Sequence, residues 1–145
     1  AQDETAWNDR GNRLNAQYSA YDYPNVPGKK VNGALTRDEN AADLAGIELA
    51  WDALITAQPT LAVEGKEAFF RGWAQLWRQQ SAPEVAAQNA AVAVHAPGQW
   101  RANGPLANLP AFGETYKCKA DSAMVRKPGE QVAIWGQESP PAPEK

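Results

Sequence analysis

From Leu44 to Ile55 apolar side chains return at helical spacing, as Leu44, Ile47, Trp51, Leu54 and Ile55, and this is the feature that most constrains the fold. A chain carrying that stripe must lay a long helix against a core. Thr36 followed by Glu39 reads as a capping box at its start, Asp38 adds negative charge near the positive end of the dipole, and Pro59 stops the helix after about Gln58. Glu39 and Asp43 then share one face. Two exposed carboxylates so spaced repel by roughly 0.2–0.5 kcal/mol, so a positive group is expected between or above them. Gly46 and Ala50 follow on that face, small enough to admit another element or a ligand. From spacing alone two readings stand: a cap residue and a solvated helix acid, or the two acids of a site.

The rest of the chain reads as mostly helical. Asp3 to Tyr21 is expected to form a helix with Trp7, Leu14, Tyr18 and Tyr21 on its core face, weakened by Gly11. Pro24 to Lys30 is a turn-rich loop. Lys66 to Gln80 is a second strong helix with Phe70, Trp73, Ala74 and Trp77 on one side, and Pro83 suits the first turn of a short helix to about Ala91. Next comes V-H-A-P-G-Q-W-R, read as a Pro-Gly turn flanked by His95 and Arg101. A lone His beside such a turn is more often a surface or packing residue than a catalytic one, and Arg101 invites the same reading.

Composition removes several function classes. With 14 basic against 17 acidic residues and a net charge of −3, the cations scattered singly or in pairs give no footprint for nucleic acid. No apolar run approaches the ~20 residues that span a bilayer, and the first residues, A-Q-D-E-T, are not a signal peptide. Cys118 is the one cysteine and His95 the one histidine. No disulfide can close within this chain.

Four segments, in order, resemble neprilysin-type zinc metallopeptidases: Q-Y-S-A-Y at Gln17 to Tyr21, N-G-A-L-T-R-D-E-N-A-A-D-L-A-G at Asn32 to Gly46, F-F-R-G-W-A-Q-L-W at Phe69 to Trp77, and V-H-A-P-G-Q-W-R at Val94 to Arg101. N-G-P-L-A-N-L-P-A-F and K-C-K-A-D-S-A-M continue the likeness, which runs from Gln17 to Trp135. The resemblance implies a mostly α fold, the helical C-terminal portion of a thermolysin-like or neprilysin-like catalytic domain occupying residues 1–135, with a Pro-rich disordered tail over 136–145. It implies that Glu39 is the third zinc ligand and that Asp43 hydrogen-bonds a ligating His and fixes its tautomer. It also implies that His95 steadies the oxyanion and that Arg101 binds a substrate backbone carbonyl. The family commonly has an Asp two positions before this His, where the present chain has Ala93. In the animal enzymes the Cys at position 118 has a partner near the C-terminus, and here V-A-I-W stands instead.

A zinc site of the His, His, Glu kind needs three protein ligands and an open position, and this chain has one His and no H-E-x-x-H helix. On the resemblance, one zinc ion is expected to take its two His ligands from an N-terminal remainder of the same enzyme. The reaction implied is hydrolysis of internal bonds in small peptides, in a secreted, periplasmic or cell-surface setting, with the isolated chain inactive. A non-catalytic helical binding domain, in which Glu39 is only a cap, is the rival expectation.

Overall fold

The computed structural model describes residues 2–135, which form six helices and, among the described residues, no strand. They are α1 (Gln2–Ser19), α2 (Gly33–Ala57), α3 (Val63–Leu76), α4 (Pro83–Val92), α5 (Gly98–Leu106) and α6 (Pro110–Thr115). The expected tail at 136–145 lies outside the described residues. None of these helices is long and apolar enough to cross a membrane.

The long α2 is the axis of the fold, packing on α1 and α5. Leu44 and Ile47 are fully buried, and Trp51 extends the same face onto Phe69 and Phe70 of α3, with ring centroids 5.4 and 4.9 Å away. Leu14 and Tyr18 of α1 close the core from the other side, whereas Trp7, expected on that face, is 42% exposed. Ala74 of α3 is likewise exposed, because the core face narrows to Phe70 and Trp73 as α3 ends.

The start of α2 differs from expectation for a physical reason. The helix begins three residues earlier, at Gly33, and its cap is Asn32, whose side chain accepts from the Leu35 amide at 3.0 Å. Thr36 is already inside, its hydroxyl donating back to the Asn32 carbonyl at 3.0 Å. Glu39 is therefore no cap. A Cβ at Gly33 would collide with the Asn15 carbonyl, so the glycine lets α2 start hard against α1. At Gly46, by contrast, nothing among the described residues approaches.

Two further helices complete the fold, and the first, α5, stands where the sequence suggests a Pro-Gly turn. Pro97 is the residue that precedes α5 and Pro110 the first residue of α6, positions where a fixed φ and a missing N–H are both tolerated. Gly98 opens α5 where any Cβ would strike the Trp77 carbonyl. This close approach brings α5 against the end of α3.

A C-terminal strap, residues 131–135, ties the helices together. Arg13 donates to the Gln131 carbonyl at 3.1 Å, and the Val132 amide donates to the buried Asn108 side chain at 3.0 Å. Glu48 of α2 accepts from the amides of Ile134 at 3.0 Å and Trp135 at 3.1 Å, and the Trp135 indole donates to the Ala45 carbonyl. Burial raises the Glu48 carboxyl above its usual range, Asp52 adds to this, and the two amides and Arg10 oppose it. A carboxyl whose folded value is raised binds its proton more tightly when folded, so its contribution to stability falls as pH rises through that value. Glu48→Gln keeps an acceptor for the amides and removes the titration. Its melting temperature relative to wild type is expected to be higher at pH 7 than at pH 4, as differential scanning calorimetry would show; a difference independent of pH would contradict this.

Candidate functional site

Glu39 and Asp43 each meet a nitrogen side chain, an imidazole for the first and a guanidinium for the second. Glu39 Oε2 lies 3.1 Å from His95 Nε2, and Asp43 receives a two-pronged grip from Arg101, Nε and Nη2 each at 2.7 Å. The four residues singled out from sequence are thus brought together from two elements, α2 and the α4–α5 segment. Their environments differ. The His95 and Glu39 side chains are 49% and 43% exposed, those of Arg101 and Asp43 only 17% and 7%.

The Asp43–Arg101 fork is the rigid half of the site. Planar bidentate geometry gives the guanidinium both energy and a fixed orientation. Its carbon also sits 3.7 Å from the centre of the Trp77 ring, a cation–π contact that confines it from one face. Its spacing in the sequence marks Trp77 only as core, and the stacking on Arg101 is not readable there. Trp73 steadies the same region, its indole donating to the carbonyls of Arg101 and Ala102 at 3.2 Å each. With Nε and Nη2 committed to Asp43, the Nη1 edge of Arg101 has no hydrogen-bond partner among the described residues. Beneath the fork, Tyr18 is fully buried with its hydroxyl 3.4 Å from the Trp100 carbonyl, and burial above all pushes its phenol well above the usual range.

The exposed half is looser. His95 and Glu39 face solvent, and Glu39 Oε1 takes no hydrogen bond among the described residues. Ala93, two residues before His95, offers it no carboxylate. Among the described residues no three His, Cys, Asp or Glu side chains converge as a metal site. Cys118 is a free, partly buried thiol.

A model of Peptidase family M13 matches residues 1–132, almost the whole chain. The chain belongs to this family. Among the relatives of this M13 chain, the neutral endopeptidase of Lactococcus lactis subsp. lactis is 39% identical over 105 residues, which cover 72% of this chain and 16% of that protein. Human endothelin-converting enzyme 1 is 32% identical over 128 residues, covering 82% of this chain and again 16% of the relative. The fold agrees with solved structures as well. A zinc metalloprotease of Mycobacterium tuberculosis, ZMP1, in complex with an inhibitor, superposes with a TM-score of 0.82 at 33% identity, over 94% of this chain and 22% of that one. PepO from Lactobacillus rhamnosis gives 0.81 at 34% identity, over 94% and 21%. The mostly helical architecture is thus shared with zinc metalloprotease structures, and the M13 chain spans a small share of each relative's length.

Proposed function

We propose that this chain is the part of a zinc-dependent endopeptidase that supplies one metal ligand and the groups that hold the substrate carbonyls. The observation that carries the reading is the convergence of Glu39, Asp43, His95 and Arg101, in a member of Peptidase family M13. The residues fit zinc as a share of a site. Glu39 presents a carboxylate oxygen free of other bonds at an exposed position, while the chain's own donors fall short of three. The two His ligands and the general base are assigned to an N-terminal remainder carrying H-E-x-x-H, and the isolated chain is accordingly inactive. Bound zinc would lower the pKa of its water and polarise the peptide carbonyl.

This chain's residues have separate tasks. Asp43 spends two lone pairs on Arg101 and retains others, enough to accept from a ligating imidazole and hold its tautomer. Arg101, locked by Asp43 and Trp77, offers its Nη1 edge to a substrate backbone carbonyl. His95, half-exposed, donates a hydrogen bond toward the oxygen on which negative charge develops. Small peptides are the proposed substrates, and a secreted, periplasmic or cell-surface setting is proposed with them.

Steady-state kinetics of the full-length protein test these roles. His95→Ala is expected to lower kcat and kcat/KM by similar factors, on the order of 10²–10³, with KM nearly unchanged, because its bond forms in the transition state. Arg101→Lys is expected to raise KM more than it lowers kcat, since a point charge cannot keep both the fork to Asp43 and a bond to substrate. An unchanged kcat in His95→Ala would refute its role.

A further inference from the structure

A cavity of about 560 Å³ opens beside His95 and Arg101, within the range of small-ligand sites. Three stretches build its wall: the loop after α1, the α3–α4 connection, and α4 with the start of α5. Asn25, Gln79, Gln80, Ser81, Asn89 and Gln99 line it, all exposed, and none makes a side-chain hydrogen bond among the described residues. No carboxylate and no lysine lines the cavity. Arg101 is already neutralised by Asp43 and His95 faces Glu39.

This wall selects by chemistry. A charged ligand finds no unspent counter-charge in it, and an apolar one finds little more than alanine, proline and the edge of a buried tyrosine. The carboxamides offer one acceptor and two donors each. That is the complement of a peptide main chain, which repeats one N–H and one C=O per residue. We propose that the cavity is a main-chain subsite, in which the stretch of substrate adjoining the residue held by Arg101 lies extended and bonds through its peptide groups to Gln79, Asn89 and Gln99. This rests on the peptidase reading above and adds to it that substrate length, rather than side-chain identity, is read here. Binding energy gained from parts of the substrate that do not react serves the chemical step, so shortened substrates lose rate.

The test uses the full-length protein and peptides sharing one cleaved bond: a short one, versions extended by two residues at either end, and the extended versions with the two added peptide nitrogens methylated. One extended peptide is expected to show kcat/KM about ten-fold above the short one, the worth of one or two net hydrogen bonds. Methylation should abolish the gain, while exchanging Ser for Leu in the added residues should alter it less than about three-fold. In the Gln79→Ala/Asn89→Ala/Gln99→Ala variant the ratio of extended to short should fall to about one. Equal rates for short and extended peptides, or a gain that survives methylation, would overturn the subsite while leaving the peptidase reading intact. Failure of the wild-type protein to cleave any of the peptides would overturn both.

Discussion

Replacing Glu39 by Gln in the full-length protein is expected to remove zinc and peptide hydrolysis together while leaving the helical fold in place. Gln has the size and the helix propensity of Glu and lacks the negative charge with which the carboxylate holds a divalent cation. The geometry sharpens this test. Had Glu39 been half of a capping box, its loss would also cost about 1 kcal/mol of stability, but Asn32 caps α2 and Glu39 sits half-exposed against His95. Metal content by elemental analysis, circular dichroism and hydrolysis of a reporter peptide separate the outcomes. Retention of one equivalent of zinc by the Gln variant would remove Glu39 from the ligand set and return it to the helix surface.

The largest effect on stability is expected at Arg101. Arg101→Met keeps the length of the side chain and leaves the Asp43 carboxylate, 7% exposed, without its two charge-assisted bonds. Removing one partner of a buried pair costs about 3–5 kcal/mol, because the remaining ion stays desolvated. The companion substitution Asp43→Leu in the same chain should restore most of that loss, since an apolar pair in place of a buried ion pair is often neutral or better. Urea unfolding followed by tryptophan fluorescence measures both, and the six tryptophans give ample signal. A single-variant loss below about 1 kcal/mol would place the pair with ordinary surface bridges, against its burial.

Much of the fold could be read from residue spacing. The stripe from Leu44 to Ile55 gave α2 and the face that meets Phe69 and Phe70, and the aromatic run gave α3, which ends at Leu76 rather than Gln80. The helix α5 was not legible, because Pro97 and Gly98 are turn signals in isolation. They become a helix start only where the glycine's missing side chain lets α5 press on the Trp77 carbonyl. That is a tertiary fact. The same holds for the site: repulsion between Glu39 and Asp43 announces missing partners, but nothing in the spacing says that they are His95 and Arg101. Trp77 shows the remaining limit, since an aromatic residue at helical spacing looks the same whether its ring meets another apolar side chain or a guanidinium.

The fork between Asp43 and Arg101 also bears on the order in which the molecule assembles. Its partners are 58 residues apart in the chain, so closing it means ordering a long loop before any bond repays the entropy. Helices α1 and α2 are neighbours in sequence and pack extensively, and can form by local encounters. The fork cannot. It needs α5 to lie across α2, so the pairing of these two charges is expected to come late in folding. A chain can therefore be helical and compact before this fork has formed, and burial of Arg101 against Trp77 is a better measure of completed folding than helix content.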